Sequence, residues 1–368
     1  MGRDTRADWV PLWSWAGPLV ALTLLAATFA VTTLSAGAVW QVAALVSLGA
    51  CVFAAVHHAE VLAVRVGEPF GSLLLAVAIT VIEVGLIISF LFADTPGAEF
   101  VARDTIYSTV MIVLNGVVGL CLIAGGRRHY EQLFRRRGVS SALAVLGTLT
   151  IFTLIFPNYT TSAAGPYYST NHLLFIAVVV IALYSVFVFV QTLRHRDYFL
   201  ELSEIDIQHI PSASQPSDSA TFTSGVLLLM SLCAVVFLAK GLSPPISQIL
   251  QAADLPMSFL GVVIALIVLM PESVASLRAA MRNKLQISLN LALGSAIATI
   301  GLTVPIVSFV MLLNDRNLPL GLEPLNVVLL VSTLFISTLT LSTGRTTVLH
   351  GAVHLVIFAV FLFVSAFP

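Results

Sequence analysis

Some eleven apolar runs of about 18 residues or more follow one another along this chain, separated by short polar breaks. In lipid a segment of that length satisfies its backbone hydrogen bonds internally by forming a helix. Of the 368 residues, 58% are hydrophobic and 10% charged, with mean hydropathy +1.01, whereas a soluble domain carries about 25% charged residues. The expected fold is an all-α polytopic membrane protein with about 11 transmembrane helices, centred near Leu22, Leu45, Val81, Val113, Thr150, Val180, Leu229, Ile267, Ile297, Leu330 and Phe358. A net charge of −1 without a basic stripe argues against a nucleic-acid partner. Cys51, Cys121 and Cys233 lie in apolar runs without CxxC spacing, which supports neither a disulfide scaffold nor a zinc site. The first run lacks a small-residue cleavage site and reads as a retained span.

Cationic residues orient the spans. With the N-terminus in the cytoplasm, fourteen Lys and Arg residues fall inside and three (Arg103, Lys240 and Arg316) outside. Helix 1 then precedes two units of five helices that start on opposite sides, an inverted repeat of the kind transporters use for alternating access. The expected divisions are 1–36 (cytoplasmic N-terminus and helix 1), 37–193 (first repeat), 194–221 (cytoplasmic polar linker) and 222–368 (second repeat). The linker contains Glu201, Glu204, Asp206, His209 and Asp218 among Ser and Pro, and its composition suits a solvated connection.

Each repeat holds a lone glutamate on its second helix: Glu83 in the first and Glu272 in the second. A carboxylate near mid-bilayer costs roughly 2.5–3.5 kcal/mol, so such residues tend to be functional. Thr80 precedes Glu83 by one turn, and Pro271 and Ser273 flank Glu272. Proline removes a backbone donor and can free carbonyl oxygens as ligands. Ser108 and Asn115 follow on helix 4. Ser276 follows on helix 8, and helix 9 adds Gln286, Asn290, Ser295, Thr299 and Thr303. Gly294 and Ala298 on helix 9 are expected to allow close helix approach. Carboxylate, amide, hydroxyl and carbonyl oxygens suit a hard cation. Desolvation raises a carboxylate's pKa and a bound cation lowers it, so a buried glutamate can exchange one for the other. The alternatives are structural pairing for the glutamates and interhelical hydrogen bonding for Asn115 and Asn290. No Lys or Arg stands at matching depth.

His350 and His354 stand at i, i+4 near the start of helix 11 and are candidates for a proton relay or gate, or for interfacial hydrogen bonding. His57 and His58 precede Glu60, Arg65 and Glu68 at the end of helix 2. There an interfacial charge network is expected, and Glu60 joins the relay or gate candidates.

The blocks GEPFGSLLLAVAITVIEVGLI, RDTIYSTVMIVLNGVVGL, LMPESVASLRAAMRNKLQISLNLALGSAIATIGLTVP and STGRTTVLHGAVHL resemble the cation/proton exchanger branch of the calcium/cation antiporter superfamily, in its ChaA-type members. The resemblance implies a ten-helix core of two inverted repeats, with Glu83 and Glu272 as the paired acidic residues and Asn115 and Ser295 as supporting ligands. It departs from the GNxxE pattern of calcium/proton exchangers, since Thr80 and Leu269 stand three residues before the glutamates. Ser273 replaces a histidine and Ala298 a glutamine. The cation-binding candidates are thus Glu83, Glu272, Asn115, Ser295, Thr80, Ser273 and Asn290, with Glu83 and Glu272 as the metal ligands.

The expected activity is exchange of cytoplasmic Ca²⁺, with Na⁺ or K⁺ as further candidates, for external protons across a bacterial-type inner membrane. A monovalent Na⁺(K⁺)/H⁺ antiporter with little Ca²⁺ transport is the alternative, and a passive cation channel a weaker one. The absence of HExxH or of a Ser/His or Asp pair at catalytic spacing argues against an enzyme. No cofactor is expected, the cations and protons being cargo. The partners are the lipid bilayer and those ions, and a homo-oligomer is compatible with the sequence.

Overall fold

A computed structural model describes residues 10–30, 37–67, 70–92, 96–200 and 215–368. Arg3, Arg6, Glu68, Glu201, Glu204, Asp206 and His209 lie outside them. Among the described residues the eleven expected span centres each fall in a helix. The helices are α1 (Leu12–Ala30), α2 (Ala38–Val66), α3 (Phe70–Leu91), α4 (Ala98–His129), α5 (Arg136–Tyr159), α6 (Thr170–Arg194), α7 (Asp218–Ala252), α8 (Phe259–Met281), α9 (Leu285–Leu313), α10 (Pro324–Leu341) and α11 (Val348–Ala366). Ten are long and apolar enough to cross a membrane, while the apolar part of α1, Leu12–Thr28, is shorter. After α1 the order is five helices and five more, and an odd number per repeat reverses the second relative to the first.

The chain packs as two compact units whose limits differ from those of the repeats. The first holds Met1–Ser89 and Pro211–Ile246, the second Phe90–Ile210 and Ser247–Pro368. Small residues bring the helices of the first unit together, as membrane packing favours. A Cβ at Gly17 of α1 would stand 2.9 Å from the Ala50 carbonyl of α2, and one at Gly85 of α3 would stand 2.7 Å from Val236 of α7. Gly67, at φ 76°, turns the chain from α2 into α3, its N–H bonded to Ala63 O. Arg65 pairs with Asp218. His58 is fully buried, with Nδ1 3.3 Å from Ser224 Oγ and Nε2 3.3 Å from Ser14 O.

In the second unit α4 is the innermost helix, every residue from Val101 to Val117 being buried. α8 and α11 pack directly on it. A Cβ at Gly261 of α8 would lie 2.5 Å from the Asp104 backbone, and one at Gly351 of α11 would lie 2.7 Å from Gly119 O. At Gly301, α9 meets the Tyr184 ring of α6. Outward faces keep large apolar side chains exposed, among them Phe175, Val178, Phe335 and Phe363, as lipid contact requires.

Side-chain and strand contacts tie the helix ends. β1 (Gln132–Leu133) pairs antiparallel with β2 (Arg345–Thr346), in register Gln132↔Thr346. Gln132 Nε2 donates to Ala280 O and Asn283 Oδ1. In the connection between α5 and α6, Tyr168 donates to Phe152 O at 2.5 Å, and burial pushes its phenol above the usual range.

Candidate functional site

In the first unit, α3 carries Glu83 and Thr80 through a stretch without any other charge. Glu83 is 1% exposed. Thr80, three residues earlier and also buried, donates to Ala76 O at 2.8 Å. Its hydroxyl proton is thus spent on the helix, which leaves its lone pairs as the polar feature it can offer.

In the second unit, α8 runs through Pro271 without breaking. The proline has no N–H, so the Ile267 carbonyl loses its ordinary donor one turn before Glu272. Both Glu272 carboxylate oxygens are shielded from solvent. Ser273 donates to Leu269 O at 2.6 Å. Ser276, one turn beyond Glu272, is fully buried and its hydroxyl has no hydrogen-bond partner among the described residues. Ser295 on α9 is half-buried.

The helix after each glutamate helix contains a π-helical turn, Ile112–Val117 in α4 and Thr299–Thr303 in α9. Ile112 comes 29 residues after Glu83 and Thr299 comes 27 after Glu272. Such insertions re-aim side chains and frequently mark functional positions. Further π-helical turns lie at Ile151–Ile155 in α5 and Val190–Arg194 in α6, so the feature is shared by α4 and α9 without being confined to them. Asn115 lies within the first turn, and Thr299 and Thr303 bound the second.

Asn115 belongs to a buried hydrogen-bond chain. Its Nδ2 donates to Thr333 Oγ1 of α10 at 2.9 Å, and Thr333 donates to Met111 Sδ at 3.4 Å. Asn115 Oδ1 faces His354 Nδ1 of α11 at 3.2 Å, which places a proton on Nδ1. On the other side of the ring, Nε2 lies 2.8 Å from Thr340 Oγ1. That hydroxyl is also 2.9 Å from Ile336 O. With a neutral ring, Thr340 donates to Nε2. With a charged ring, Nε2–H donates to Thr340, which turns its own proton to Ile336 O. Both protonation states are therefore satisfied by one hydroxyl rotation.

Other expected residues are placed elsewhere. His350 accepts from the Thr347 N–H and completes the capping box at the start of α11, apart from its neighbour His354 in the chain just described. Asn290 donates to Phe199 O at 2.6 Å and accepts from Gln286, so its amide anchors the segment after α6. Glu60 is exposed. Gly294 is not a close-approach point, because a Cβ there would meet nothing within 4 Å.

Two groups were missed from sequence. Thr333, Ser337 and Thr340 form a buried i, i+4, i+7 stripe on α10, a visible helical signal. Asp104 lies buried beside Arg103, and a pair of opposite charges at a span end carries no local signal of burial. No cluster of three or more His, Cys, Asp or Glu occurs among the described residues, which leaves the isolated intramembrane carboxylates as the prominent ionic features.

The described architecture has counterparts of known kind. A family model for sodium/calcium exchanger proteins matches residues 36–193 and 223–367. The chain is 48% identical over 365 residues to the y4hA protein of Sinorhizobium fredii, covering 99% of each. It is 35% identical over 346 residues to the sodium-potassium/proton antiporter ChaA of Escherichia coli, covering 94% of this chain and 93% of that one. Its fold is similar to the crystal structure of the Ca²⁺/H⁺ antiporter YfkE, with a TM-score of 0.72 at 18% identity over 97% of this chain and 98% of the other. The chain is an integral membrane protein and belongs to the sodium/calcium exchanger family.

Proposed function

We propose that this protein is a secondary active transporter that exchanges a cytoplasmic cation, Ca²⁺ or the monovalent Na⁺ and K⁺, for external protons by alternating access. The observation that carries the reading is the lone glutamate on the second helix of each five-helix repeat. Glu83 and Glu272 take up cation and proton in turn, because a desolvated carboxylate is stable when protonated or when cation-bound, and costly as a bare charge. Thr80, Ser273 and Ser295 supply neutral oxygens, as does the Ile267 carbonyl freed by Pro271. Transport, not covalent catalysis, is the activity that these groups suit.

The 35% identity to ChaA, named for sodium and potassium, supports monovalent exchange as the second reading. The departures at Thr80, Leu269 and Ser273 agree with it, since they leave fewer amide and imidazole ligands than the calcium-type pattern. A passive channel would have no use for the repeated, oppositely directed spans.

The distribution of Lys and Arg supports a cytoplasmic N-terminus and an external C-terminus in the cytoplasmic membrane. His354, able to hold one or two ring protons without losing a hydrogen bond, is the candidate relay. His350 and Glu60 gain no comparable support.

Everted vesicles carrying a luminal pH dye test the reading. Adding Ca²⁺, Na⁺ or K⁺ dissipates the pH gradient in the wild type, and Glu83→Gln or Glu272→Gln abolishes the response. Full exchange in either variant would remove that glutamate from the mechanism.

A further inference from the structure

Where α4, α8 and α10 begin and α11 ends, the second unit holds a partly open cavity of about 40 Å³. A single water needs about 10–15 Å³ of such space, so the cavity accommodates one small ion with one or two waters. Its wall includes Arg103, Asp104 and Tyr107 of α4, Ser258 before α8, and Glu323 and Asn326 at the start of α10.

The charges here are incompletely matched. Arg103 Nε donates to Asp104 Oδ1 at 2.7 Å, and its far nitrogen lies 4.0 Å from Glu323 Oε1. Arg103 also donates to Gly321 O at 3.4 Å and lies over the Phe100 ring at 4.5 Å. Arg103 is thus paired with the buried Asp104, and the Glu323 side chain, 65% exposed, is left as the unmatched carboxylate at the mouth. Asp104 is 5% exposed, and its second oxygen, Oδ2, has no hydrogen-bond partner among the described residues. The hydroxyl of Tyr107, a residue 3% exposed, has none either. An ionised oxygen buried without a donor is costly.

The geometry points to a docking site for a small monovalent cation, of which Na⁺ is the best fit. The ion is held by Asp104 Oδ2 with oxygens of Tyr107, Ser258 and Asn326. Every donor is a hard oxygen, which selects against soft metals. With Arg103 offsetting Asp104, Glu323 at the mouth is the one unmatched carboxylate, which suits a monovalent ion and leaves a divalent ion under-neutralised. An anion is excluded because Asp104 Oδ2 would face it. Asp104 lies 11 residues before Asn115, about 16 Å along the helix, and Gly261, which touches it, lies 11 before Glu272. The site is therefore at one end of the unit, well away from the level of Glu272. This goes beyond the exchange reading, and binding here does not depend on either intramembrane glutamate.

The test is equilibrium binding of radioactive sodium to the purified full-length protein carrying both Glu83→Gln and Glu272→Gln. About one Na⁺ per chain is expected to remain, with affinity reduced about tenfold or more by Asp104→Asn and severalfold by Tyr107→Phe. Intrinsic fluorescence and a melting curve for each variant verify folding, and Asn326→Ala serves as a third probe should Asp104→Asn fail to fold. Absence of Na⁺ binding in the double-glutamine protein, equal binding after Asp104→Asn or Asn326→Ala, or tighter binding of Ca²⁺ than of Na⁺ would overturn the inference. The exchange reading is judged separately: it fails if the wild type binds no more cation than the double-glutamine protein.

Discussion

His354 occupies a buried position where apolar packing alone would favour a leucine, and it is held in a hydrogen-bond chain with Asn115, Thr340 and Thr333. Breaking that chain leaves buried polar atoms unsatisfied, at about 1–3 kcal/mol each. Thr333→Val removes the acceptor of the Asn115 amide while keeping the side-chain shape. A lower melting temperature in detergent is the expected result, and an unchanged one would mean that the amide finds another partner. His354→Gln is expected to alter the pH profile of exchange, because glutamine cannot gain a proton, whereas His350→Gln should leave the profile in place and cost only a helix cap. Equal profiles for His354→Gln and wild type would remove His354 from proton handling. The lone carboxylates Glu83 and Glu272 were legible from one line of sequence because lipid makes them conspicuous. Asn115 was legible as polar, but its partners come from α10 and α11, over two hundred residues later, and no local pattern announces them.

Among the elements, α4 is crossed by α8 at Gly261 and by α11 at Gly351, where backbone meets backbone. Gly351→Leu would force α11 away from Gly119 and Ile123 and separate His354 from Asn115. Overpacking of this kind costs about 1–3 kcal/mol or more, so the variant should melt earlier and lose most exchange activity. Gly294→Ala is the control: a Cβ there meets nothing within 4 Å, and alanine favours a helix by roughly 0.8–1.0 kcal/mol over glycine. Stability equal to or above wild type is expected, and a marked loss would show that the open space beside Gly294 is needed. Span positions were readable because lipid imposes one length and one secondary structure on every crossing segment. The π-helical turns at Ile112–Val117 and Thr299–Thr303 were not, since one extra residue in a helical turn changes neither the length nor the composition of the span. The β1–β2 pairing, only two residues a side, was equally silent.

The whole molecule has two divisions that do not coincide. By sequence it is one helix plus two repeats of five, each repeat with its glutamate. By packing, α2, most of α3 and most of α7 belong to the unit that contains Glu83, and the remaining helices of both repeats to the unit that contains Glu272. The first division rests on span parity and the positions of Lys and Arg. The second was not legible in the sequence, because it depends on which apolar faces pack together, and helices uniformly rich in Leu, Val, Ile and Ala carry little directional information. Coupling of cation movement to protons is the central claim, and it is tested most directly by imposing a pH gradient across proteoliposomes and measuring accumulation of radioactive Na⁺ or Ca²⁺. The wild type should concentrate the ion against its own gradient, a protonophore should abolish the accumulation, and Glu83→Gln and Glu272→Gln should show none. Uptake that merely equilibrates the ion and ignores the pH gradient would contradict the account.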